Sequence, residues 1–247
     1  MRNVLANPST ISLIVPCLNE ELNVPLLVER LLAMRVDQKR WEVILVDDGS
    51  TDSTVAVAER LIAEHGPWLR LVRHPKNLGL GAAMRTGFLH SHGSIVCSMD
   101  SDCTFAPESL PSLIALVEQG ADVATGSPWH PQSEEGTVNP FRKVLSQGCS
   151  VLYRLILRSE LHSYTSLFRA YRREVLEEVD VRSNGFVAVA ETLVYALRAG
   201  YKVEELPVRL DKRIHGVSKI GIWASIKSHV RFLSRVGWAA WQPQQQH

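Results

Sequence analysis

Four short apolar runs punctuate the first 100 residues, and each is followed by a polar stretch and then a helical pattern. Residues 11–15, 41–46, 69–73 and 94–99 are dense in Val, Ile and Leu, and such runs read as buried strands. Pro16 is expected to stop the first of them. Asn23 is placed to cap a helix with Pro25 in its first turn, and Leu27, Leu31 and Met34 recur along one face. Val55, Ala58 and Ile62 repeat the pattern after Ser50, Thr51 and Asp52, any of which can cap. A third helix opens at Asn77-Leu-Gly79-Leu-Gly81 and runs to about Gly93. This alternation leads to a Rossmann-like, mostly parallel sheet with right-handed crossovers and helices on its faces.

In such a sheet ligands gather outside the carboxyl ends of the strands, so the residues just after each run matter most. There stand Asn19 and Glu20, then Asp47 and Asp48, then Asp100-Ser101-Asp102. The last pair offers two carboxylates to a hard divalent cation such as Mg²⁺ or Mn²⁺, which takes oxygen ligands and keeps positions for phosphates. Alone, the pair is equally a turn before the helix expected at Pro107.

Further on, residues 121–125 make a fifth strand, and the Pro-rich residues 128–140 form a surface loop of the length often used as a lid. A long helix with Val144, Val151 and Leu155 follows, then a strand-like stretch over 165–171, a helix over 191–200 and an extended stretch over 202–209. Residues 220–247 are separated from a domain spanning 1–219 as an amphipathic helix and a Gln-rich tail. Trp223, Ile226, Val230 and Leu233 share a face of that helix, which can rest on a bilayer or pack on its own domain.

Composition removes several classes of function. A net charge of +1 on 247 residues gives no basic excess for nucleic acid. No apolar run reaches the roughly 18 residues a membrane span needs, and the N-terminus has no signal-peptide core. Cys17, Cys97, Cys103 and Cys149 show no C-x-x-C spacing and read as reduced thiols. The expectation is a cytoplasmic protein, soluble or peripheral at the membrane face. Of the nine histidines, only His215 lies in a segment of interest.

The order of motifs resembles a family-2 glycosyltransferase of the GT-A fold, and most of all the dolichol- or polyprenol-phosphate mannose synthases. The resemblance runs through Val15-Pro16-Cys-Leu-Asn19-Glu20, Val46-Asp-Asp48-Gly-Ser-Thr-Asp52, Asn77-Leu-Gly79-Leu-Gly81 and Asp100-Ser101-Asp102. It continues in Ser166-Leu-Phe-Arg-Ala-Tyr-Arg-Arg173, Gly200-Tyr-Lys-Val-Glu-Glu-Leu-Pro207 and Arg213-Ile-His-Gly-Val-Ser-Lys219. It implies an inverting, single-transfer hexosyltransferase of cell-envelope glycan chemistry, moving mannose from GDP-mannose to a polyprenyl or dolichyl phosphate. Pro16, Asn19, Glu20, Asp47, Asp48, Gly79, Gly81 and Ser101 would line the nucleotide-sugar donor. Asp100 and Asp102 would carry the Mg²⁺ or Mn²⁺ and act in catalysis with Arg213, while Arg213 and Lys219 would clamp the diphosphate. Ser127, Arg142, Ser146 and Arg169 would meet the acceptor.

The sequence also departs from that family. Pro128 follows Gly126-Ser127 where the mannose synthases have Arg, Ser163 and Leu167 replace Asp and Gly, and Thr104 stands where a Gln can be a third metal ligand. The Gln-x-x-Arg-Trp motif of processive synthases is absent. The alternatives are transfer to a hydroxyl, a nucleotide-sugar-binding module without turnover, and an aspartate-dependent phosphatase. A hydroxyl acceptor needs a general base, for which Glu191 is the best candidate, whereas a phosphate is already ionised.

Overall fold

Burial of the apolar runs sets the architecture. A computed structural model describes residues 10–34, 37, 40–216 and 221–241. The runs become strands β1 (Ile11–Cys17), β2 (Trp41–Asp47), β3 (Leu69–Arg73) and β4 (Ile95–Ser98). Between them lie α1 (Asn23–Ala33), α2 (Thr54–His65) and α3 (Leu80–Leu89). A 3-10 turn at Pro107–Ser109 and α4 (Leu110–Glu118) lead to β5 (Val123–Ser127), and α5 (Pro140–Leu157) follows a long connection. The chain ends in β6 (Arg169–Arg172), α6 (Arg173–Glu178), α7 (Val187–Arg198), β7 (Val203–Pro207) and α8 (Ile222–Trp241).

The seven strands form one sheet in the order β3-β2-β1-β4-β6-β5-β7. Only β6 runs against its neighbours, pairing antiparallel with both β4 and β5. Strand alternation sends Leu13, Val15, Val43 and Leu45 to one face, where they bury against Leu27, Leu31, Ala58 and Leu113 of α1, α2 and α4. Ile14, Ile44 and Val46 point the other way, onto Ala83 of α3. A second cluster around Tyr153, Tyr164, Leu193, Val194, Phe232 and Val236 joins α5, α7 and α8 to the sheet.

Several local expectations are corrected. β1 does not stop at Pro16 but runs on to Cys17, with Pro16 opposite Val46. Its pairing with β4 covers only Ile11 to Ser98's partner Ile14, so on that side no ladder bond is lost at the proline. Asn23 lies inside α1 instead of capping it, and its Nδ2 donates to Glu20 Oε2 at 2.6 Å. α7 starts four residues before Glu191, at Val187. The long helix expected around Val144, Val151 and Leu155 is α5, where these residues point to solvent together with Phe141 and Leu152. The expected apolar face of α8 is divided: Leu233 is buried and Trp223 and Val230 are exposed, while Phe232 and Val236 take the inward positions. That helix thus packs on α5 and α7.

The glycines before and in α3 are fixed by packing. Gly79 has φ +98°, and a Cβ there or at Gly81 would fall inside 3.0 Å of Asn184 or Ser183 backbone oxygen. Gly81 N donates to Asn184 O at 2.6 Å, so α3 enters directly against the segment leading to α7.

Two stability predictions follow from these contacts. Gly81→Ala should destabilise by about 1–3 kcal/mol, the range for overpacking a site that cannot yield, seen as a lower denaturant midpoint. His229 on α8 is buried against Tyr153, whose hydroxyl lies 2.9 Å from Nδ1, and burial pushes its pKa down from 6.5 to about 4. A group held neutral in this way contributes stability that is whole above pH 6.5 and is lost as pH falls toward 4. Between pH 7 and pH 5 the wild type should lose about 2 kcal/mol that His229→Gln does not, read from unfolding curves at the two pH values.

Candidate active site

The carboxyl ends of β1, β2 and β4 meet in one place, and the residues after them are bound into a network. Asn19 takes a left-handed conformation, φ 52°, so that its Oδ1 accepts from Thr51 N at 2.7 Å while its own N–H reaches Ser50 Oγ at 2.8 Å. Asn is the residue type that tolerates this backbone best after Gly. Glu20 N donates to Thr54 Oγ1 at 2.7 Å, which ties the β1 loop to the start of α2.

The two neighbouring aspartates at the end of β2 have different surroundings. Asp47 accepts from Ser50 N at 3.2 Å and shapes its own turn. Asp48 receives Leu78 N and Gly79 N, both at 2.9 Å, one on each oxygen, and His74 Nδ1 lies 2.7 Å from Oδ1. Its carboxylate therefore holds the glycine loop in place. That loop was expected to allow close approach of a ligand, whereas its two glycines admit the backbone of Ser183 and Asn184.

Glu20 and Asp102, 82 residues apart in sequence, are joined by one side chain. Arg213 Nε donates to Asp102 Oδ2 at 2.8 Å and its Nη2 to Glu20 Oε1 at 2.9 Å. Its guanidinium is raised in pKa because the two carboxylates outweigh the opposing effect of burial, the largest single influence. Asp102 Oδ1 also accepts from Thr104 N at 3.1 Å. Ser101 and Asp102 are buried and Asp100 is half-buried. The arrangement places carboxylates from two strand ends around a single positive charge, in the position where an open α/β sheet receives polar ligands.

On the other side of β4 the expected acceptor residues fall into two groups. Ser146 on α5 lies 3.0 Å from both Trp129 Nε1 and Thr165 Oγ1, a bridge between the loop after β5 and the segment before β6. Ser127, at the end of β5, is fully buried with no partner for its Oγ among the described residues. Arg169 is fully enclosed, contrary to the expectation that it meets an acceptor: its donors go to Thr125 Oγ1, Tyr164 O, Val189 O and Tyr171 Oη. An arginine with that many internal acceptors is a framework residue. Glu191 is likewise buried, and Oε2 accepts from Ser183 N at 2.9 Å, so the candidate base is engaged in holding a loop. Lys219 and the side chain of Arg142 lie outside the described residues. His74, which orients Asp48, is not singled out by the sequence, and Asn23, which orients Glu20, reads there only as a helix cap, since only the folded loops bring them to those carboxylates.

Comparison with known proteins agrees with this layout. Residues 12–180 match the model of glycosyl transferase family 2. A polyprenol monophosphomannose synthase of Mycolicibacterium smegmatis is 37% identical over 216 residues, 84% of this chain and 79% of the relative. A dodecaprenyl-phosphate galacturonate synthase of Rhizobium johnstonii is 32% identical over 91% of this chain, which spans 65% of that longer protein. Among solved structures, the glucosyl-3-phosphoglycerate synthase of Mycobacterium tuberculosis with Mn²⁺, UDP and glucosyl-3-phosphoglycerate superposes with a TM-score of 0.69 at 21% identity, covering 93% of this chain and 78% of that one. The same enzyme with Mn²⁺ and UDP-glucose gives 0.68 at 24% identity, covering 93% and 80%. The sheet order and the helices on both faces are those of the GT-A fold. By the extent of the family match and the identity to its relatives, the chain belongs to glycosyl transferase family 2.

Proposed function

We propose that the protein transfers one hexose per turnover, with inversion, from a nucleotide diphosphate sugar to an acceptor that bears a phosphate. The observation that carries this reading is Arg213 bound between Glu20 and Asp102: carboxylates for a metal and a cation for a diphosphate share one spot at the strand ends. Pro16, Asn19, Glu20, Asp47 and Ser101 would line the donor, with Asp48, Gly79 and Gly81 shaping the loop beside it.

The residues fit a divalent cation. The donor set is all oxygen, and Asp102 already takes a positive group at 2.8 Å. Asp100 and Asp102 would hold Mg²⁺ or Mn²⁺, which acts as a Lewis acid on a phosphoryl oxygen of the departing nucleoside diphosphate. Arg213 exchanges its carboxylates for the diphosphate as the donor enters, with Lys219 as the second cation of the clamp. Relatives named for Mn²⁺ and UDP support the metal and the donor class, and the relative named for phosphomannose supports mannose, from GDP-mannose.

For the acceptor, the names of the two sequence relatives support a polyprenyl phosphate. One structural feature favours it. Phe141, Val144, Val151, Leu152 and Leu155 form an exposed apolar stripe on α5, the helix that carries Arg142 and Ser146. Trp223, 83% exposed, and Val230 are further exposed apolar residues, on α8. Among the described residues no helix is long and apolar enough to cross a membrane, so this surface would rest peripherally on a bilayer holding the lipid. A second reading, supported by the solved structures bound to phosphoglyceric acid, is transfer to a hydroxyl of a small phosphorylated acid; Arg142 and Ser146 would then grip its phosphate.

Two experiments test this. Release of nucleoside diphosphate from a panel of nucleotide sugars should require Mn²⁺ or Mg²⁺, and Asp102→Asn should lower it by about a hundredfold or more, some 3 kcal/mol of transition-state stabilisation. Activity that persists in EDTA removes the metal. Transfer should occur to polyprenyl phosphate and be weakened by Val151→Glu with Leu155→Glu, together with loss of co-sedimentation on anionic vesicles, while donor hydrolysis stays unchanged. Transfer to 3-phosphoglycerate with no effect of that double substitution selects the hydroxyl acceptor.

A further inference from the structure

At the far edge of the sheet, away from the carboxylates after β4, three side chains from three separate segments converge. His130 lies in the connection between β5 and α5, His162 in the connection between α5 and β6, and Glu205 on β7. One ligand atom of each lies within 4.8 Å of the others. All three are half-buried, so their heads are neither dispersed in solvent nor sealed in the core. The two imidazoles meet edge to face with centroids 5.1 Å apart.

Glu205 is held rigidly for this purpose. Its Oε1 accepts from His162 N and Ser163 N, both at 2.9 Å, and its Oε2 lies 2.7 Å from His162 Nδ1. His130 Nδ1 accepts from Gln132 N at 3.2 Å, which fixes the ring at the turn after Trp129. An imidazole nitrogen and a carboxylate oxygen thus already stand side by side, with His130 close to both.

We propose that His130, His162 and Glu205 bind a transition-metal ion of the Zn²⁺ type, separate from the cation of the donor site. Two nitrogen ligands and one carboxylate suit Zn²⁺, while Mg²⁺ and Mn²⁺ favour the all-oxygen set at Asp100 and Asp102. The sheet register keeps the two places apart. Glu205 stands opposite Thr125, Thr125 opposite Arg169, and Arg169 opposite Ser98. Three strand spacings therefore separate Glu205 from β4, about 14 Å in all. Ligands in a tetrahedral zinc site are about 3.3 Å apart at the usual bond lengths. His162 and Glu205 open slightly from 2.7 Å as the ion enters, and His130 closes from its present reach. The imidazole nitrogen that coordinates gives up its proton to the other ring nitrogen or to solvent. A fourth position is left for water.

The ion would act as a clip. It joins the loop before α5 and the loop after it to an edge strand, and so secures Trp129, whose indole reaches Ser146 on the acceptor side. A cavity of about 170 Å³ lined by Trp129, His130, Lys143 and Gln147 lies against this loop.

The test is equilibrium dialysis of EDTA-treated, re-dialysed full-length protein against Zn²⁺ alone, with bound metal read by atomic absorption and folding checked by circular dichroism. One high-affinity equivalent is expected for the wild type and for Asp102→Asn. His130→Ala, in an exposed loop, and His162→Gln should each bind at least about tenfold more weakly. Limited proteolysis within residues 128–139 should slow when Zn²⁺ is added to wild type and not to His130→Ala. Wild-type binding no tighter than that of folded His130→Ala, or binding lost in Asp102→Asn, overturns the site.

Discussion

The C-terminal half of the molecule depends on one charge taken completely out of water. Arg169 is fully buried, and its recorded partners are neutral: a threonine hydroxyl on β5, a tyrosine hydroxyl on β6, a carbonyl before β6 and a carbonyl on α7. An enclosed guanidinium is costly unless its donors are met, so each of these segments is held where it can supply an acceptor. Arg169 thereby locks the one antiparallel strand between β4 and β5 and sets α7 against the sheet. Replacing it with a residue that leaves those carbonyls unmet would disturb four elements at once.

Much of this architecture is legible in the sequence, for a physical reason. A strand buried on both faces must be largely apolar, so β1, β2 and β4 stand out from the polar turns between them, and the edge strand β3, despite Arg70 and Arg73, is also read to the residue. The polar ends of those strands are legible for the same reason. Tertiary choices are not. Pro16 looks like a terminator because a lone strand cannot know that its β4 neighbour ends earlier. The apolar residues of α5 repeat at helical spacing whether they face a core or a surface, and only the assembled fold shows that Tyr153 turns inward while Val151 and Leu155 turn out. Arg169 lies within a recognised motif, yet charge alone does not tell an internal strut from a ligand contact.

The carboxyl ends of β1, β2 and β4 illustrate how carboxylates in similar settings divide their work. Asp48 spends its oxygens on backbone N–H groups and a histidine, which makes it part of the wall. Glu20 and Asp102 instead share a mobile type of partner, a long side chain from a distant loop. Such an ion pair keeps two acidic groups close together without mutual repulsion until another cation takes over. The family membership and the geometry thus point the same way, since a diphosphate and its counterion need both signs of charge within reach.

The position of β6 bears on how the chain assembles. β5, at residues 123–127, is synthesised before β6, at residues 169–172, yet β6 must lie between it and β4. The first four strands can pair in the order in which they emerge, apart from β1 waiting for its neighbours. β5 has no partner in that early sheet, and until residue 172 has left the ribosome it can only wait unattached, while β7, made later still, joins β5 on its outer side. Completing the sheet therefore depends on one four-residue strand, carrying its arginine, that pairs on both sides.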